Sequence, residues 1–258
     1  MNIKKVILIK LILILLPFNS FAASGGENAA LSPKEISWRF EGVFGSIDKQ
    51  SVQRGFKIYQ EVCSSCHSMK LFSYRNLEDI GFSKDEVKQV ARQYVVMDGP
   101  NDEGEMFERL ALPSDKFLPP YPNEQAARVA NGGAYPPDLS LITKARMNGP
   151  NYIYSLLTGY QKAPADFNLT EGKSYNPYFE GRQIGMPSPI TDDEDVEYLD
   201  GTFASKEQMA IDIVNFLQFV AEPETEARKK LGVTTLIFLL IMTILFAIAK
   251  RRIWKKVK

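Results

Sequence analysis

Cys63-Ser64-Ser65-Cys66-His67 places both cysteines and the single histidine of this 258-residue chain in five consecutive positions. Two thiols three residues apart can each add across one vinyl group of a haem, and the next residue then brings an imidazole to the iron. The spacing therefore predicts covalent attachment of a c-type haem. Three other chemistries use parts of the pattern. A structural zinc site wants four ligands, usually Cys and His, and this chain has three such residues in all. A thioredoxin-like dithiol sits where a strand meets a helix, whereas residues 52–62 read as helix. A disulfide between Cys63 and Cys66 would close a loop too short to stabilise much.

With no second histidine, a ligand for the other face of the iron has to come from the eight methionines. Met1 falls in an N-terminal leader, Met242 in a long apolar run, and Met69 is too close to His67 to reach the opposite face. Met209 belongs to a helical apolar stripe. Met97 and Met106 flank an acidic segment, and Met147 stands beside Arg146 in a loop. Met186 has a flexible residue before it and rigid ones after it, in Ile184-Gly185-Met186-Pro187-Ser188-Pro189. Such a loop can hold a thioether at a fixed distance, which puts Met186 first while leaving Met97, Met106 and Met147 open. His and Met together raise the potential and fill both axial positions, an arrangement suited to electron transfer rather than to binding oxygen.

The elements that must position these groups are mainly helices. Residues 53–62, with Phe56 and Tyr59 three apart and Gly55 permitting close packing, predict an amphipathic helix running into the haem motif. Ser83-Lys84-Asp85-Glu86 and Ser205-Lys206-Glu207-Gln208 fit capping boxes that open two further helices, the first through about Tyr94. After the second box, Met209, Ile213, Phe216, Leu217 and Val220 fall on one helical face, and Pro223 follows. That stripe should pack inward, against the haem or the first helix. Eleven prolines between Pro113 and Pro189 interrupt every long periodic segment, so loops wrapped around a cofactor are expected there. Haem offers apolar surface against which such loops can pack. No convincing run of alternating strand residues appears.

The ends of the chain locate the domain. Residues 1–22 combine a basic start, an apolar stretch and Ser20-Phe21-Ala22, the features of a cleaved signal peptide. They contain no arginine, unlike a mitochondrial presequence, which points to bacterial export. Residues 231–249 are uncharged, long enough to cross a hydrocarbon core, and followed by a basic tail at 250–258 with Trp254 at the expected interface. The chain is thus expected to be a single-pass protein of the bacterial inner membrane. Its haem domain, residues 23–230, would be periplasmic and its C-terminus cytoplasmic.

Overall neutrality conceals a segregation of charge. Three of the 31 basic residues lie in the leader and six in the tail, which leaves 22 against 31 acidic residues in the exported part. Such a domain can attract a basic soluble partner and is the wrong sign for nucleic acid. Asp98 to Glu108 carries five carboxylates and Asp192 to Asp200 six. Either run alone reads equally well as a solvated loop.

A series of further motifs is recognisable in order. After Cys63 to His67 come Asp98-Gly99-Pro100 with Gly104-Glu105-Met106-Phe107, and Pro120-Tyr121-Pro122-Asn123 with Ala126-Ala127-Arg128. Pro136-Pro137-Asp138-Leu139-Ser140, YIYSLLTGY from Tyr152 to Tyr160, and Asn176-Pro177-Tyr178-Phe179 follow. Met186-Pro187 and Asp200-Gly201-Thr202 with Gln208-Met209-Ala210 complete it. Together they resemble the cytochrome c1 family, the haem subunits of ubiquinol:cytochrome c reductase, over nearly the whole mature chain. The chain departs from the family pattern at Arg109-Leu110-Ala111 and at Phe203, away from any haem ligand.

The resemblance implies a mostly α protein, a cytochrome c-like haem domain with long proline-rich loops and one C-terminal transmembrane helix. It implies one haem c, held by Cys63 and Cys66 through thioethers, with His67 and Met186 as axial iron ligands and Arg146 on a haem propionate. Pro136 and Pro137 match the loop past the proximal histidine, where a carbonyl can accept its second N–H. The implied partners are cytochrome b and a Rieske iron–sulfur protein, within a dimeric complex, and a cytochrome c as acceptor. On this reading no side chain here performs substrate chemistry; enzymatic activity belongs to the assembled reductase. Two rivals stand beside it: a membrane-bound monohaem cytochrome c of another oxidase or reductase, and a membrane-tethered thiol–disulfide oxidoreductase using Cys63 and Cys66.

Overall fold

Asp48 starts the first helix: its carboxylate accepts from the Ser51 amide, and α1 runs Lys49–Glu61, four residues earlier than the sequence pattern suggested. The computed structural model describes residues 29–255, so the expected signal peptide and residues 256–258 of the basic tail lie outside it. A short 3-10 turn, Cys63–Ser65, follows α1 directly, and a second, Tyr74–Ile80, leads to α2, Lys84–Ala91. The capping box at the start of α2 forms, Ser83 and Glu86 each bonding the other's backbone. The helix ends before Tyr94 because the chain turns there into a hairpin.

That hairpin is one of two small antiparallel sheets that sequence periodicity did not disclose. Strand β1, Val95–Asp98, pairs with β2, Phe107–Leu110. The two-residue strands β3, Ser174–Tyr175, and β4, Gln183–Ile184, form the other. Both are too short or too exposed to show alternation. Among the described residues three more helices precede the last: α3, Glu124–Ala130, α4, Gly149–Leu157, and α5, Lys206–Ala221. Ser205 caps α5 through the Gln208 amide, but the Gln208 side chain turns to Asp212 instead of closing the expected box. The final helix, α6, Thr225–Trp254, is long and apolar enough to cross a membrane. The architecture is mostly helical, as the sequence reading expected.

The core forms where α1 crosses α5. Met209, Ile213, Phe216, Leu217 and Val220 are all buried, and the stripe faces the first helix. Gly55 sets the approach: a Cβ added there would lie 2.1 Å from the Asp212 carbonyl oxygen, so only glycine lets the backbones come this close. Around the crossing, Phe56, Tyr59, Phe72, Phe117 and Phe216 pack with ring centroids 5.2–6.1 Å apart. Such pairs contribute about 0.5–1.5 kcal/mol each beyond their buried area.

A polar linkage also spans the crossing. Fully buried Asp212 accepts from Ser51 Oγ at 2.6 Å and from Arg54 Nε and Nη2 at 2.8 and 2.9 Å. The bidentate geometry compensates the charge for its burial. Asp212, joined by Asp200, holds the Arg54 guanidinium well above its ordinary range against the effect of burial. The haem motif thus leaves the end of a helix whose position is fixed by both packing and charge.

Candidate haem-binding site

Cys63, Cys66 and His67 lie on the turn that follows α1, all three half-buried, with the His67 and Cys66 amides both bonded to the Cys63 carbonyl. That turn presents two thiols and one imidazole from a single rigid corner. The corner lies beyond the C-terminal end of α1, where the helix carbonyls concentrate negative potential. A reactive dithiol needs the opposite, a helix N-terminus or a cation that favours thiolate. Burial, assisted by Cys66, instead pushes the Cys63 thiol up to about 12. The position of Cys63 does not suit a thiol–disulfide nucleophile.

His67 is oriented by a carbonyl 70 residues away. Its Nδ1 lies 2.8 Å from the Pro137 oxygen, and because a carbonyl can only accept, Nδ1 carries the proton. Burial holds the imidazole below its ordinary pKa, so the ring is neutral and Nε2 keeps a free lone pair. This is the tautomer a metal ligand requires, with its second nitrogen held as ligating histidines generally are.

The Pro137 carbonyl is itself held. Asp138 accepts from Ser68 Oγ at 2.8 Å, from the Lys70 amide at 2.9 Å and from the Ser140 amide at 2.9 Å. The Leu139 amide donates to the Ser68 carbonyl at 2.8 Å, and Ser140 Oγ accepts from the Leu71 amide at 3.0 Å. Four hydrogen bonds therefore zip residues 138–140 to residues 68–71, directly beyond the His67–Pro137 contact, and the Ser140 amide braces Asp138 from within its own segment. Burial opposes the Asp138 charge, but the bonds from Ser140, Lys70 and Ser68 hold its carboxyl below the usual range.

The expected second axial residue leads to the same segment. Gly185 packs so closely on Ala134 that a Cβ at Gly185 would stand 3.2 Å from that of Ala134. Residues 134–137 therefore border the Met186 loop at one end and His67 at the other. Tyr160, just past the end of α4, donates to the Met186 carbonyl at 3.1 Å. Burial pushes its phenol upward and keeps it protonated as a donor. Sequence reading missed Tyr160 as a support for this loop, since nothing in the YIYSLLTGY string marks which tyrosine turns toward residue 186.

Burial separates the methionines. Met69 and Met209 are fully enclosed in the apolar core, whereas Met97 and Met106 stand exposed on the β1–β2 hairpin and Met147 is 94% exposed. Met186 is half-buried. Arg146 is exposed, with Nη1 on the neighbouring Ala145 carbonyl at 3.1 Å. It lies beside Tyr152 of α4, whose phenol burial pushes up and Arg146 pulls back. A cleft lined by Cys66, Ser68, Pro120, Tyr121, Tyr135 and Pro136 opens next to the motif. The donor set of two thiols and a neutral imidazole, with a half-buried thioether on a loop that borders the same 134–137 segment, fits a covalently attached haem.

A helical domain that presents a Cys-x-x-Cys-His corner with the histidine held through Nδ1, joined to a helix able to span a membrane, defines a membrane-anchored c-type haem protein. The chain belongs to the cytochrome c1 family, whose model matches residues 38–257, and it carries a covalently bound c-type haem. It is 51% identical over 245 residues to cytochrome c1 1, a mitochondrial heme protein of Arabidopsis thaliana, covering 95% of this chain and 79% of the relative. It is 44% identical to cytochrome c1 of Rhodospirillum rubrum, over 92% of both chains. The mitochondrial cytochrome b-c1 complex catalytic subunit of Candida albicans is 45% identical over 88% of this chain and 79% of its own length.

Proposed function

We propose that this chain is the haem-bearing electron carrier of a ubiquinol:cytochrome c reductase, taking one electron from a Rieske iron–sulfur protein and passing it to a cytochrome c. Bound haem supplies one-electron exchange between ferric and ferrous iron. Cys63 and Cys66 would hold it through thioethers, and His67 Nε2 and the Met186 sulfur would be the donors to its iron. Pro137 fixes the imidazole tautomer and ring plane, Asp138 and Ser140 hold Pro137 in place, and Tyr160 steadies the Met186 loop. Arg146 would pair with a propionate. If His67 and Met186 both hold the iron, no open position would remain there for a substrate, which suits electron transfer.

The observation that carries this reading is the 2.8 Å contact between His67 Nδ1 and the Pro137 carbonyl. It leaves Nε2 as the lone-pair donor of the only imidazole in the sequence. The anchor places the haem domain at a membrane; we assign that domain to the periplasmic side, following the leader and the basic tail. Cytochrome b and the Rieske protein would then flank α6, in a dimeric complex, and the acidic face would draw a basic acceptor.

Isolation from native membranes in mild detergent tests the assignment. Cytochrome b and a Rieske protein should co-purify, and the pyridine haemochrome spectrum should show one covalent c-type haem per chain. Recovery of the haem chain with a different oxidase or reductase would overturn the assignment to this complex. Free thiols and no covalent haem would overturn the site.

A further inference from the structure

Residues 41–46, between the buried Trp38–Phe40 stack and Asp48, descend along the first turns of α6. The ladder of contacts gives the direction. The Ile47 amide donates to Glu226 Oε1 at 2.7 Å. Lys229 Nζ, one turn further along, donates to the carbonyls of Phe40 and Gly45, the latter at 3.1 Å. Val43 and Phe44 at the tip share a cleft with Lys230, Val233 and Thr234. The tip therefore reaches the start of the uncharged run that begins at Leu231.

The tip is apolar and uncovered. Phe44 is 91% exposed and Val43 62%. No backbone requirement puts them there, because Gly42 and Gly45 make the turn on either side and any polar pair would serve in water. The spacing along α6 supplies the reason. From Val233 to Trp254 is 21 residues, about 31 Å of helix, which matches a hydrocarbon core about 30 Å thick. Trp254 and Val233, beside which Phe44 lies, are thus about one hydrocarbon core apart along α6.

We propose that Val43 and Phe44 insert into the headgroup–acyl boundary of the phospholipid bilayer on the haem-domain side, as a second membrane contact beside α6. A single helix does not by itself set which face the domain turns to the membrane. A second contact, tied to α6 through Lys229 and Glu226, removes that freedom and fixes the face the domain turns to the membrane. Interfacial side chains of this kind sit about 5–10 Å deep, at the boundary rather than in the core. Arg228 and Lys230, exposed on the turn above, meet the phosphate layer.

Photo-crosslinking in native membranes tests this. The full chain carrying p-benzoylphenylalanine in place of Phe44 is irradiated, and its adducts are identified by mass spectrometry, with the haem spectrum confirming the fold. The same probe replaces Phe238, mid-span, as a lipid-exposed reference, and Val129, on the far helix α3 and 85% exposed, as a water-exposed one. Position 44 should give phospholipid adducts at no less than a third of the yield at position 238, and position 129 none. An adduct to another polypeptide at position 44, or none while position 238 labels, would overturn the proposal.

Discussion

Tyr160 donates its phenolic hydrogen to the carbonyl of Met186 at 3.1 Å, bridging 26 residues of proline-rich loop. The bond acts on the backbone of the residue assigned as the sixth ligand, not on its sulfur. Tyr160→Phe removes the donor and leaves the ring, so the protein should still fold and still bind haem covalently. The loss is that of one partly buried hydrogen bond, about 1 kcal/mol. It should appear as a weakened methionine-to-iron charge-transfer band in the ferric optical spectrum and a midpoint potential below that of the parent. An unchanged spectrum and potential would show that Tyr160 is only packing.

Met186→Leu keeps the volume and the apolar character and removes the sulfur. Covalent haem should persist, while the charge-transfer band disappears and the ferric spectrum moves towards high spin. Met147→Leu, at a side chain that is 94% exposed, should change neither. The pair of variants distinguishes ligation from general methionine loss.

Asp138 carries the pH dependence of the loop that orients His67. Its folded-state pKa is lowered, so the stability it contributes is present in full above the unfolded carboxylate value, about 3.9, and is lost as pH falls through the folded value. Asp138→Asn should lower stability by about 1.5 kcal/mol at pH 7, the lower end of the range for hydrogen bonds to a charged acceptor, since the carboxylate is only half-buried. The gap between parent and variant should narrow below about pH 4. Denaturant midpoints measured across pH 3–7 report both the size and the slope.

Gly55→Ala tests the helix crossing beneath the site. A methyl at 2.1 Å from the Asp212 carbonyl oxygen cannot be absorbed by a side-chain rotation, because the obstacle is backbone. α1 and α5 must separate, and overpacking of this kind costs about 1–3 kcal/mol or more. Holo-protein should accumulate poorly in membranes and the thermal midpoint of what remains should fall. Gly104→Ala, on an exposed turn with open space around it, provides the contrast in packing, although its positive φ makes it mildly unfavourable.

Much of this could be read along the chain because the signals are local. Cys63 to His67 is a spacing, α1 and α5 are periodicities, the cap at Ser83 is a four-residue pattern, and the final helix is a run of uncharged residues. Each is set by contacts within a few turns of one segment. The two hairpins escaped because β3 and β4 are two residues long and β1 and β2 are mostly exposed, so neither has an apolar face to alternate. The start of α1 was placed too late for a similar reason: its cap, Asp48, precedes the first periodic apolar residue.

What the sequence by itself determined is the chemistry available: two thiols, one imidazole, a set of methionines and an anchor, with a family resemblance that ordered them. What only the tertiary structure decided is how they are held. The tautomer of His67 depends on a carbonyl 70 residues away, the support of Met186 on one of several tyrosines, and the burial of Asp212 on ligands from a helix more than 150 residues earlier. These are long-range pairings with no local pattern, since hydrogen bonds and close backbone approach are fixed by where the chain returns in space.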